Sequence, residues 1–122
     1  MKLWVDDIRP APEGYIWVKS VNEGIDIIDD IMMLGEDINF SMKSKVLKKE
    51  IGRVFYSLFN DFIIDIDHDA GQFQKDGGDY IKFLNYLEEV GLEDCTIHIH
   101  SQNPVGVENM RRIIRRNDWK EV

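Results

Sequence analysis

Three short apolar runs, each cut off by a cluster of reactive polar residues, constrain this chain more than any other feature. "LWVDDIRP" ends in Asp6, Asp7 and Arg9, "FIIDIDHDAG" carries Asp65, Asp67, His68 and Asp69, and "IHIHSQNPVG" carries His100, Ser101 and Asn103. Runs this brief and β-branched are too short for ordinary helices and read as buried strands that stop where the polar residues begin. In an open α/β sheet, ligands bind in the crevice beyond the carboxyl ends of the strands. Three ends loaded with acids, histidines and small polar groups therefore imply one assembled site.

The segments between the runs change rhythm. "YIWVKS" reads as a second strand, and Ser20 with Glu23 forms a capping box. Behind it Val21, Ile25, Ile28 and Met32 recur at the spacing of a buried helix face, with Gly35 as the stop signal. A lysine-bearing amphipathic stretch follows, so a helical elaboration is expected over residues 36–60. After the central strand and a loop holding Gly71, Gly77 and Gly78, Asp79 is placed to cap a helix whose Tyr80, Phe83, Leu84 and Leu87 face inward. Asn103-Pro104 supplies an N-cap and a first-turn proline for a last helix. Its buried side holds Val107, Met110, Ile113 and Ile114, and "DWKEV" adds a short final strand.

Strands alternating with helices predict an α/β three-layer sandwich, a mostly parallel sheet of about five strands covered on both faces. Residues 1–122 fit a single domain. The link between the first two strands is too short for a helix of any length. Those strands are either joined by an extended crossover or are not parallel neighbours.

A net charge of −8 argues against general binding to duplex nucleic acid. Basic residues cluster at Lys43–Arg53 and Arg111–Lys120. They read first as solvated helix faces, the alternative being a positive rim for a phosphorylated ligand. No apolar run reaches the roughly 18 residues of a membrane span, and Asp6 and Asp7 interrupt the apolar stretch a signal peptide would need. With Cys95 alone fitting a reducing compartment, a cytoplasmic protein without membrane contact is expected.

At the strand ends, acids this close raise one another's pKa unless something positive neutralises them. Arg9, a protonated histidine, or a divalent cation such as Mg²⁺ or Mn²⁺ held by Asp6 and Asp7 would serve. Strand alternation puts His98 and His100 on one face, with His98 expected to be a core or packing residue. His68 and His100 are the candidate general acid and base, with Asp67 and Asp69 fixing their tautomers. Arg9, Ser101 and the helix start at Asn103 are the candidate phosphate-binding groups.

Four segments, "LWVDDIRPAPEGYIWVKS", "IDIDHDAG", "GGDYIKFL" and "IHIHSQNPVGVENM", carry a resemblance to the cyclic-phosphate-processing receiver-like (cREC) family, a divergent branch of the receiver superfamily. The resemblance implies a flavodoxin-like fold and a phosphoesterase acting on the cyclic phosphate of a nucleotide or an RNA end. It aligns Asp6 and Asp7 with the paired Mg²⁺-binding acids of receivers, and Asp67 or Asp69 with the phospho-acceptor. A histidine stands between those candidates, and the receiver lysine has no evident equivalent here. Phosphorelay signalling is therefore an alternative ranked below hydrolysis and below a non-catalytic phospho-ligand binding module.

Overall fold

The computed structural model describes residues 1–34 and 62–122; Gly35, the elaboration expected over 36–60 and its lysines lie outside the described residues. Five strands form one all-parallel sheet: β1 (Lys2–Val5), β2 (Ile16–Val18), β3 (Phe62–Ile66), β4 (Cys95–Ile99) and β5 (Lys120–Glu121). Their order, β2-β1-β3-β4-β5, is that of flavodoxin-like folds. Three α-helices are described, α1 (Val21–Leu34), α2 (Ile81–Glu89) and α3 (Pro104–Arg116), with a 3₁₀ turn at Gly71–Asp76. The first two strands are parallel neighbours, joined by an extended crossover over residues 6–15.

Alternation along the strands builds the core. Ile16, Leu3, Ile64 and Ile97 stand side by side in register, as do Val18, Val5, Ile66 and Ile99, and all but Ile99 are buried. The three-residue β2 shows how short strands survive. Burying its Ile16 and Val18 is worth roughly 3–6 kcal/mol. That matches the roughly 1–2 kcal/mol of backbone entropy lost per ordered residue. The intervening side chains, Lys2, Trp4, Ile63, Asp65, Thr96 and His98, point to the other face and are only partly buried or exposed.

Each helix starts or docks for an identifiable reason. Ser20 Oγ accepts the Glu23 N–H at 3.1 Å, while the Glu23 carboxylate accepts the Lys19 N–H at 3.2 Å. The capping box is present, its return bond landing one residue early. The buried stripe of α1 runs through Val21, Gly24, Ile27 and Ile28, and Met32, expected inside, is 41% exposed. The Phe83 ring of α2 sets that line: a Cβ on Gly24 would lie 2.8 Å from it. This close approach centres the contact on Gly24 and leaves Met32 beyond its rim.

In α2, Tyr80, Phe83, Leu84 and Leu87 are fully buried as expected. Asp79 does not cap this helix; Tyr80 holds the N-cap position without a side-chain bond. The Asp79 carboxylate instead accepts the Ala70 N–H at 3.1 Å and the Gln74 amide at 3.3 Å, closing the loop before α2. Asn103 caps α3 by accepting the Gly106 N–H at 3.0 Å, with Pro104 following. Met110, Ile113 and Ile114 are buried, and Val107 is half-buried.

Arg111, Arg115 and Arg116 pair with Glu121, Glu108 and Glu88. Arg115 and Arg116 close α3, about 18–20 Å along its axis from Asn103 at ~1.5 Å per residue. They form a solvated, ion-paired face and not a rim around the strand ends. Among the described residues no helix is long and apolar enough to cross a membrane.

Candidate active site at the strand ends

Because β1, β3 and β4 are consecutive in the sheet, the three polar clusters lie side by side at its carboxyl edge. From β1 the chain leaves toward β2, and from β3 toward β4, so a crevice opens between them at this switch point. The ladder continues one residue past each strand: Asp6 N–H donates to Val18 O (3.1 Å), Asp67 N–H to Val5 O (2.9 Å) and His100 N–H to Ile66 O (3.0 Å). Strand alternation then sends Asp6, Asp67 and His100 to the face away from the core, and Asp7, His68 and Ser101 back toward it. The single cluster read from the sequence is two clusters, meeting at Asp67.

On the first face His100 is fully engaged. Its Nε2 lies 2.8 Å from Asp6 Oδ2 and its Nδ1 2.5 Å from Asp65 Oδ1. Trp4 stacks on the ring at 4.1 Å with planes 7° apart. Both contacts are hydrogen bonds only if the ring carries two N–H groups and donates twice, or if one carboxyl keeps a proton and donates it to a bare ring nitrogen. Arg9, half-exposed, donates from Nη1 to the His100 carbonyl at 3.1 Å and lies 3.7 Å from Asp6 Oδ2. His98, expected as a packing residue, is instead 47% exposed and bonds Asp65 Oδ1 through Nδ1 at 2.9 Å. Its strand position faces the half-open side of the sheet, where no described helix packs.

The second face is built on His68. Its backbone N–H donates to Asp67 Oδ1 at 2.7 Å and its carbonyl accepts from Tyr80 N–H at 2.9 Å, which fixes the residue between β3 and α2. The ring lies against the first turn of α3, where a Cβ on Gly106 would come within 2.4 Å of it. Asp69 Oδ1 lies 2.8 Å from Nδ1, and Asn103 Nδ2 lies 3.4 Å from both. Among the described residues nothing bonds Nε2. Ser101 Oγ accepts the Asn103 N–H at 3.1 Å, so its first task is to shape the loop into α3.

The acids differ in environment. Burial alone would push Asp6 up, but the N–H groups of Arg9 and Ile8 and the His100 ring outweigh it and hold the carboxyl below its ordinary value. Asp7 goes the other way. Burial, and then the charges of Asp6 and Asp67, push it up, and Gly71 presses close, a Cβ there falling 2.2 Å from Asp7 Oδ2. Its charge is thus left uncompensated by its neighbours, and carboxylate oxygens are the donors hard divalent cations take. Asp6 and Asp67 bring carboxylate oxygens within 4.8 Å of each other and of a His100 ring nitrogen, a grouping that could hold such an ion, and Asp7 adds a third acid whose charge is felt by both.

All the residues singled out in the sequence reach this edge, divided between its two faces. Three contributors escaped the sequence reading: Trp4, Gly106 and the bridging role of Asp65. Trp4 was within reach, because it lies two residues before Asp6 on the same strand and so shares its face. Gly106 had no signal, since its role depends on a ring from another element.

One protein family, described as the cyclic-phosphate processing receiver domain, matches residues 1–116. No curated protein and no solved structure matches the chain. The family match runs from the first strand to the end of α3 and takes in the residues of both faces of the site. The chain belongs to the cyclic-phosphate processing receiver domain family.

Proposed function

We propose that this domain hydrolyses a cyclic phosphodiester, on a nucleotide or at an RNA end, with His68 as the proton-transferring residue. The observation that carries this is the His68–Asp69 pair beside a carboxylate cluster and the start of α3. A carboxylate on Nδ1 holds the imidazole in one tautomer, with the lone pair at Nε2, which is the state a general base needs.

In the reaction a water oxygen attacks phosphorus and its proton passes to His68 Nε2. The bond from phosphorus to one ribose oxygen breaks, that oxygen takes up a proton from solvent water, and His68 returns its proton to solvent, leaving an acyclic monoester. Arg9 and the positive dipole end at the start of α3 support the phosphoryl oxygens where negative charge develops. Asp6, Asp7 and Asp67 would hold a Mg²⁺ or Mn²⁺ ion, which supplies charge neutralisation for phosphate and acids alike. His100, bonded at both nitrogens, acts here as a positioning residue for Asp6. It differs in this from a freely exchanging acid–base partner of His68.

The test is turnover of 2′,3′- and 3′,5′-cyclic nucleotides and of cyclic-ended RNA with Mg²⁺ or Mn²⁺ added. Hydrolysis is expected with at least one of them, and His68→Ala should lower kcat by at least ~100-fold. Tight binding without turnover would replace this reading with that of a binding module, and neither binding nor turnover would end both.

A further inference from the structure

His98 takes no part in the hydrolysis just described, yet its ring is held in a defined position. It stands on β4 two residues before His100, on the same face, and is paired in register with Asp65 of β3. Both rings turn Nδ1 toward one oxygen, Asp65 Oδ1, at 2.9 Å from His98 and 2.5 Å from His100. The three donor atoms lie within 4.8 Å of one another. We propose that Asp65, His98 and His100 form a binding site for a divalent transition-metal ion of the Zn²⁺, Co²⁺ or Ni²⁺ type, on the sheet face beside the strand ends.

Ligand chemistry selects the ion. Two imidazoles and one carboxylate suit borderline ions, whereas the all-oxygen set at Asp6, Asp7 and Asp67 suits hard ones. Geometry allows it with small movement. Tetrahedral donors at ~2.1 Å from one ion stand about 3.4 Å apart. Asp65 Oδ1 and His100 Nδ1, now 2.5 Å apart, therefore need to separate by about 1 Å, with all three donors already within 4.8 Å of one another. An ion on Nδ1 also resolves the bonding of His100, whose ring then keeps a single N–H, at Nε2.

That N–H faces Asp6 Oδ2 at 2.8 Å, on a carboxylate only 1% exposed. A carboxylate on the far nitrogen is the usual outer partner of a metal-bound histidine, fixing its tautomer and orientation. Trp4 holds the ring plane from the other side. The half-exposed His98 leaves the site open for the ion to enter and for water to complete its coordination.

The experiment strips the full chain with a chelator, then titrates it with Co²⁺, followed by visible absorption, and with Zn²⁺ by calorimetry. One ion per chain is expected here, even with excess Mg²⁺ present. Asp6→Asn should weaken binding ~10–100-fold, as loss of an outer partner does, and His98→Ala or Asp65→Asn should weaken it at least as much. His98 is exposed enough for its removal to spare the fold, which circular dichroism checks; His98→Gln is a second variant. Equal Co²⁺ affinity in His98→Ala, displacement of Co²⁺ by Mg²⁺, or no binding would overturn the proposal. Because metal binding is read without turnover, it stands or fails separately from the hydrolysis reading.

Discussion

At Asp7, burial and the charges of Asp6 and Asp67 raise the carboxyl above its ordinary value of 3.8. Ionising it is therefore harder in the folded protein than in the unfolded chain. The favourable contribution is complete below the ordinary value and is lost as the pH rises from there through the folded-state value. At neutral pH the ionised Asp7 opposes folding. Asp7→Asn is accordingly expected to raise the thermal midpoint at neutral pH, with the gain vanishing as the pH falls below 3.8. Adding Mg²⁺ should raise the midpoint of the unaltered chain and do little for Asp7→Asn. Melting curves over a pH series, with and without the ion, check both; an Asp7→Asn chain less stable at neutral pH would refute the charge assignment. Asp6, whose carboxyl lies below its ordinary value, carries the opposite sign and supports the fold until acid protonates it.

Among the elements, α3 does two jobs through one turn. Its start is set by Asn103, whose side chain accepts the Gly106 N–H, and its close approach to His68 depends on Gly106 having no side chain. Because a Cβ would sit 2.4 Å from ring carbons, Gly106→Ala must displace either the ring or the helix. A cost of ~1–3 kcal/mol is expected, as for overpacked interiors. Denaturant unfolding measures it, and the His68 ring resonances should shift. A stable Gly106→Ala chain with unmoved resonances would show that the helix and ring are not in contact. The glycine is legible only from the fold: its sequence position in α3 reads as a weak spot in a helix.

The whole molecule is organised around the row from β1 through β3 to β4, since these strands carry both the core and the site. Cys95 reports on that row. It opens β4 and is buried, and burial pushes its thiol up to about 12. Thiolate is the reactive form, so labelling of the native protein should be very slow. Modification is expected to need cooperative opening of the sheet, with the same denaturant dependence as global unfolding. Fast labelling with little denaturant dependence would mean instead that the two-residue β5 frays on its own and uncovers β4.

Local sequence is enough to place the strands, the starts of α1 and α3 and the edge of the sheet where function gathers, though not the start of α2, where Asp79 closes a loop instead of capping the helix. These follow from local chemistry: β-branched runs too short for helices, Ser20 and Asn103 as caps, Pro104 at a first turn, and acids and histidines where each run stops. Periodicity located α1 and missed only its facing, because Phe83 from another helix decides which side of α1 is approached. Tertiary structure alone decided how the polar residues are shared out. Side chains one position apart on a strand point to opposite faces, so a cluster contiguous in sequence becomes His68 with Asp69 on one side and His98, His100 and Asp65 on the other. Which acid a histidine meets depends on register between β3 and β4, residues 33 or 35 positions apart, and that distance no local pattern encodes.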